Sequence, residues 1–312
     1  MDKSRSLCKK GILIICYFLF CINFGDYVMN YKSYSDLVKD SYLLAQKFGK
    51  NDYNAIISIP RSGNIPSSIV ALTHNLPWLT VFSLLGGHGD SSFTDRINGG
   101  VSFPKTGRYL VVDDSCNTGD RVIKAKRSLQ DAGYNNLDMA AIYVTEESQG
   151  MVNKWVAKVP QPRLFEWNLF HHAYVTMSAF DIDGVVCPDP PVGIDELVDE
   201  KGYVNWISSA PVLHPVSMKI KCFVTSRLEK YRKETEEWLS RNRYTYEELI
   251  MSPHASVVER RKANDYGQQK AKVFKSRSDL KLFVESSKTQ AEVIAQISGK
   301  PVFCVDTNSI YQ

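Results

Sequence analysis

Two pairs of closely spaced carboxylates each follow an apolar run. The first is Asp113-Asp114, within Tyr109-Leu-Val-Val-Asp-Asp-Ser-Cys-Asn-Thr-Gly-Asp120. Adjacent acids at the C-terminal edge of a strand can accept hydrogen bonds from a vicinal diol, or hold Mg2+ through water. The turn that follows (Ser115, Cys116, Asn117, Thr118, Gly119) offers backbone N–H groups and hydroxyls at a helix start, a setting that suits a phosphate. Diol acceptors beside a phosphate cradle fit a ribose 5-phosphate. The plain alternative is a pair of acids capping a helix. The second pair is Asp181 and Asp183, in Phe-Asp-Ile-Asp-Gly-Val-Val. Acids at i and i+2 leave a strand end in similar directions. One can attack phosphorus while Mg2+ neutralises charge. The other can protonate the leaving oxygen and later activate water. Thr225 or Ser226, after another apolar run, can bind phosphoryl oxygens. A lysine and a further acid would complete such a site. Lys270 and Glu285 are the candidates, with Lys262 and Lys272 as rivals to Lys270.

Elements must hold these residues in place. Apolar spacing predicts a helix over 33–48. Short apolar runs predict strands at 55–59, within 77–84, at 109–112 and at 138–145, with helices over 65–72 and 120–132. Residues 88–100 read as a mobile loop. In the remainder, strands are expected at 175–180, 219–224, 280–284 and 301–305, the last closing the chain. Helices are expected at 229–241 and 288–298. Strands alternating with helices imply parallel α/β sheets. The length of 312 residues allows about two domains. The expected division is an apolar extension at 1–28, one domain at 29–173 and another at 174–312.

Composition excludes several classes. With 44% hydrophobic residues and a net charge of +4, the chain is neither disordered nor of low complexity. No basic stripe with interleaved aromatics suggests a nucleic-acid partner. Seven cysteines without a CxxC pair indicate neither a zinc site nor a disulfide framework, and fit reduced, mostly buried thiols in a cytoplasmic protein. The apolar run at 11–24 is shorter than the roughly 20 residues of a membrane span. It reads as an unstructured or artefactual extension, an anchor, or a cleaved signal or buried helix. Membrane contact is expected only if that run is an anchor.

The first constellation resembles the PRPP-binding motif of type I phosphoribosyltransferases: apolar strand, two acids, short loop, Thr-Gly. The resemblance spans about 33–170. It implies that Asp113 and Asp114 face the ribose hydroxyls and that Ser115–Gly119 enclose the 5-phosphate. It also implies that Arg61, Ser62 and Gly63, in the loop after the first core strand, meet the pyrophosphate. Trp167 would be a base-stacking platform, though a packed core tryptophan is the ordinary reading. The second constellation resembles the haloacid dehalogenase superfamily over about 174–312. That resemblance implies Asp181 as nucleophile, Asp183 as general acid/base, Thr225 as phosphate binder and Lys270 as the link between nucleophile and phosphate. Mg2+ would be held by Asp181, Asp183 and Glu285. At the last motif many members carry two acids; here Ser286 follows Glu285. Only 41 residues separate Asp183 from Thr225 and 44 separate Thr225 from Lys270, leaving no room for a large cap. The first half is expected to serve as cover for the second site.

Together these readings give an α/β chain of two parallel-sheet, Rossmann-like domains, the second with little or no cap. The expected activity is bifunctional: Mg2+-dependent transfer of phosphoribose from PRPP to an acceptor, a nucleobase being the first choice, and hydrolysis of a phosphomonoester. The alternatives are a PRPP- or nucleotide-binding regulator, or a sugar, polysaccharide or modified-nucleoside enzyme with a non-base acceptor. Expected partners are small molecules (PRPP, acceptor and phosphomonoester), with a homodimer possible.

Overall fold

The computed structural model describes residues 28–86 and 103–312. The predicted loop at 88–100 and the apolar run at 11–24 therefore lie outside the described residues. Strand β1 (Asn30–Lys32) leads into helix α1 (Tyr34–Ala45). A capping box fixes its start: Ser33 Oγ accepts from the Asp36 N–H, and the Asp36 carboxylate accepts from the Ser33 N–H. Strand β2 (Ala55–Ser58) follows, then α2 (Asn64–His74) and β3 (Trp78–Thr80). The strand expected within 77–84 is β3. Thr80 Oγ1 accepts from the Ser83 N–H and starts a short helix, α3 (Val81–Leu85). Strand β4 (Tyr109–Cys116), helix α4 (Asp120–Asp131), β5 (Leu137–Val144) and β6 (Lys154–Lys158) complete a five-stranded sheet.

That sheet has the order β3-β2-β4-β5-β6, and every pairing in it is parallel. Its central strands are nearly continuous apolar runs because both faces are covered. Ile56, Leu110 and Ile142 pack toward α1 and α2, whereas Ile57, Val111 and Met139 pack toward α3 and α4. This is the period-2 alternation of a strand.

Strand β7 (Arg163–Phe165) pairs in parallel with β1. Two 3-10 turns, Glu166–His171 and Ala173–Met177, lead to β8 (Ser178–Phe180). The strand expected from residue 175 thus begins later. The rest runs α5 (Glu200–Ser209), β9 (Ile220–Leu228), α6 (Arg232–Arg241), β10 (Tyr246–Ser252), α7 (Val257–Ala263), α8 (Tyr266–Ser276), β11 (Leu282–Glu285), α9 (Lys288–Ser298), β12 (Val302–Cys304) and β13 (Ser309–Tyr311). The sheet order is β10-β9-β8-β11-β12-β13. Its pairings are parallel except β12 with β13. Residues 301–305 are therefore not the last strand; β13 turns back antiparallel beyond them. Trp238 and Leu239 of α6 cover one face of this sheet, and Phe274 of α8 and Ile294 of α9 the other.

Residues 29–32 serve both sheets' surroundings. They pair with β7, yet Met29 is buried in the core of the six-stranded sheet, and its N–H donates to Gln312 Oε1 at 2.7 Å. Tyr31 O–H donates to Asn308 Oδ1 at 2.5 Å. Cys116, Cys187, Cys222 and Cys304 are buried and unpaired. Among the described residues no helix is long and apolar enough to cross a membrane.

Candidate functional sites

In each sheet the strand order reverses beside one central strand. β3 lies on one side of β2 and β4 on the other; β9 lies on one side of β8 and β11 on the other. Crevices at such switch points, outside the carboxyl ends of the strands, are where open α/β sheets bind ligands. Both carboxylate pairs lie there.

At the first switch point the loop after β2 packs against the end of β4. A Cβ on Gly63 would stand 2.3 Å from Ile59 O, 2.9 Å from Val112 O and 3.0 Å from Asp113 Oδ1, so only glycine fits. The Pro60–Arg61 peptide is cis. Arg121 donates to Pro60 O and stands 3.9 Å from Asp113 Oδ2. Asp113 is fully buried: Oδ1 accepts from the Asp114 N–H at 3.0 Å, and Oδ2 has no hydrogen-bond partner among the described residues. Burial first, then the charge of Asp114, hold its carboxyl well above the usual carboxylate range. Asp113 is thus buried at the end of β4 against the 60–63 loop rather than open to a diol. Asp114 is also buried, and Trp167 Nε1–H donates to its Oδ2 at 2.8 Å.

Trp167 is half-buried and stacked on Phe165, with ring centroids 4.8 Å apart and planes 2° apart. One face of the expected base platform is therefore covered, and its N–H is committed to Asp114. Nothing in a single sequence marks this pairing across 53 residues.

The strand expected to end at residue 112 continues through Asp113, Asp114, Ser115 and Cys116, so only Asn117–Gly119 turn into α4. Asn117 and Thr118 are exposed and Ser115 is half-buried. Gly119, at φ +83°, is the N-cap of α4 and supplies no side chain to it. The first-turn N–H groups of a 12-residue helix therefore lack a capping side chain from that position. Thr118 Oγ1 donates to Asp120 Oδ2 at 2.6 Å. Cys116 is buried, so it offers the site backbone only. Arg61 is exposed and Ser62 half-buried, on the neighbouring loop.

At the second switch point, the ends of β8 and β11 and helix α8 converge. Lys270 is buried and donates to Asp181 Oδ2 at 2.6 Å, Glu285 Oε2 at 2.7 Å and Gln290 Oε1 at 2.9 Å. Its rivals Lys262 and Lys272 are exposed. Asp181 Oδ1 accepts from the Ile182 N–H, and Glu285 Oε1 accepts from the Ser286 and Ser287 N–H groups at the start of α9. Burial lifts the Asp181 carboxyl to about 7; Lys270 opposes this, and the charges of Glu285 and Asp183 add to it. Burial works against the charge on Lys270, but the two acids outweigh it and hold the ammonium protonated.

Asp183 is held by a residue the motif reading missed. Arg227 is buried and grips its carboxylate as a fork: Nε to Oδ2 at 3.0 Å, Nη2 to Oδ1 at 2.7 Å. Burial opposes ionisation, yet Arg227 keeps the Asp183 carboxyl below its usual range. In this arrangement Asp183 is an ionised partner, not a proton-loaded acid. The available signal was the run Thr225-Ser226-Arg227 at the end of β9. Thr225 is buried, and its Oγ1 accepts from the Arg227 N–H at 3.2 Å. Ser226, not Thr225, lines the carboxylate cavity.

That cavity has a volume of about 330 Å³ and is lined by residues between 181 and 306. The first half contributes none of its described residues to the lining, so the expected cover role is not met. Asp181, Glu285 and the Asp183 carbonyl are hard oxygen donors of the kind Mg2+ accepts alongside water. Asp183's carboxylate is turned to Arg227. Among the described residues no three His, Cys, Asp or Glu side chains are grouped to hold a metal. An ion at this position would need the Asp183 carbonyl and water.

No protein-family model matches the chain, and no curated protein matches it. Solved structures do show similarity. A purine phosphoribosyltransferase from Pyrococcus horikoshii Ot3 is 17% identical with a TM-score of 0.35, covering 45% of this chain and 93% of that one. A xanthine-guanine-hypoxanthine phosphoribosyltransferase from Helicobacter pylori is 16% identical with a TM-score of 0.34, covering 45% and 94%. A chain of the Pnkp1/Rnl/Hen1 complex is 12% identical with a TM-score of 0.32, covering 91% and 98%. At these scores the similarity adds nothing to the geometry above, on which the functional reading rests.

Proposed function

We propose that the chain is a bifunctional enzyme: a phosphoribosyl transferase at the first switch point and a phosphomonoesterase at the second. The observation that carries this is the buried Asp181–Lys270–Glu285 group at one switch point, matched by the contact of the 60–63 loop with Asp113 at the other.

At the first site, the start of α4, the end of β4 from Ser115 and the turn 117–119 would hold the 5-phosphate of PRPP, and Arg61 with the Gly63 loop the pyrophosphate. Asp114 would serve the ribose hydroxyls, oriented by Trp167. Positioning and charge stabilisation would favour an oxocarbenium-like transition state as the C1–pyrophosphate bond breaks and the acceptor bonds to C1.

At the second site, ionised Asp181 attacks phosphorus, an Asp181 Oδ–P bond forms, and the ester P–O bond breaks. Water then cleaves the acyl phosphate, returning Asp181 and releasing phosphate. Lys270 holds the nucleophile in position. An arriving phosphate would draw Arg227 from Asp183, whose carboxyl then rises and can exchange protons with the leaving oxygen and water. Mg2+, held by Asp181, Glu285 and the Asp183 carbonyl, would supply charge neutralisation.

A second reading, ligand binding without transfer at the first site, is favoured by the closure of Asp113. PRPP, Mg2+ and candidate bases, with pyrophosphate and phosphate followed separately, distinguish the two. Tight PRPP binding with no pyrophosphate release supports the regulator.

A further inference from the structure

A second cavity, of about 230 Å³, lies beside the carboxylate cavity, between β10 and α8. The proposed chemistry leaves it unused. Val224, Ile250, Met251 and Val273 give it apolar walls. Its polar end is His254, whose Nε2 lies 2.9 Å from Asp265 Oδ1. Ser226, Arg260, Tyr266 and Lys270 line both cavities, so one ligand can span them.

The wall of the carboxylate cavity carries an unmet donor and an unmet acceptor. Arg260 is fixed by donating from Nη1 to Ser226 O at 2.8 Å and from Nη2 to Glu196 Oε2 at 2.6 Å. Its Nε is buried without a partner among the described residues, and so is Glu196 Oε1. Buried polar atoms without partners are costly, and a ligand can satisfy them. A hydroxyl both donates and accepts, and a sugar diol answers both needs. An apolar slot with a polar end, beyond that diol, suits a flat heterocycle better than an alkyl chain.

We propose that the second site takes nucleoside monophosphates. The phosphate sits at Asp181 and Lys270, the ribose hydroxyls meet Arg260 and Glu196, and the base fills the cavity between β10 and α8. This rests on the phosphomonoesterase reading and names its substrate class.

The test is hydrogen exchange on the full chain carrying Asp181→Asn, with adenosine 5′-monophosphate or ribose 5-phosphate. The mononucleotide is expected to slow exchange across 246–254 and 266–273, at least tenfold more than ribose 5-phosphate does. Adding Ile250→Trp, or Val273→Phe as a second way to fill the slot, should remove that difference. Equal protection by the two ligands, or protection that survives both filled variants, overturns the assignment. Phosphate release from the mononucleotide by the unsubstituted chain is read in parallel. Protection without release supports the base cavity and overturns the esterase reading; release without protection does the reverse. Ligand binding at the first site reports on different peptides.

Discussion

Asp113 and Asp181 are both acids in surroundings that favour their neutral form, and this gives each a pH signature. Asp113's folded value lies above its unfolded value, so its contribution to stability is full at low pH and is lost as pH rises through the folded value. Asp113→Asn should therefore stabilise the chain at pH 8, with the gain shrinking toward pH 4. Thermal melts across that range check it, and a pH-independent effect contradicts it. Asp181 must be ionised to attack. Phosphate release should rise with pH up to about 7 and level off above; a flat kcat/KM profile between pH 5 and 8 would count against it as nucleophile. Asp181 and Glu285 were legible in the sequence because each follows an apolar run, and Lys270 from its place in the order of the motifs. The bonds of Arg227 to Asp183 and of Trp167 to Asp114 were not. The partners stand 44 and 53 residues apart, and no local pattern encodes a pairing made only by tertiary packing.

Strands and turns set where these side chains can go. Helices α1, α4 and α9 and the central strands were readable from periodicity and caps. The errors fall where local hydrogen bonds overrode apolar runs: the 3-10 turn before β8 and the return strand β13. Strand β10 and helix α5 escaped notice because charged and polar residues interrupt their patterns. At Gly63 the closest neighbours are backbone atoms. Gly63→Ala would press a methyl against two backbone carbonyls, neither able to swing away. The expected cost is about 1–3 kcal/mol, read from urea unfolding, with PRPP binding weakened. A variant as stable as the parent would show that the 60–63 loop and the end of β4 are not packed as described.

The described residues form one all-parallel and one mostly parallel sheet, each with a ligand-suited crevice, and a small β1–β7 pair whose N-terminal strand reaches both halves. The expected break near residue 174 falls inside the turn Ala173–Met177, yet Met29 and Tyr31 lend side chains to the far half. Tyr31→Ala removes the bond to Asn308 and a ring packed 5.5 Å from Phe303. It should cost about 2–4 kcal/mol, and a fragment of 174–312 should melt below the same half in the full chain. Equal melting temperatures would show that the tie is dispensable. The central claim is that two separate chemistries share this chain. The most direct measurement follows pyrophosphate and inorganic phosphate separately from PRPP, Mg2+ and a panel of bases, with a nucleoside monophosphate present as ester. The unsubstituted chain should release both, and Asp181→Asn should abolish phosphate release while pyrophosphate release continues. Loss of both signals in Asp181→Asn, or release of neither by the unsubstituted chain, would contradict the account.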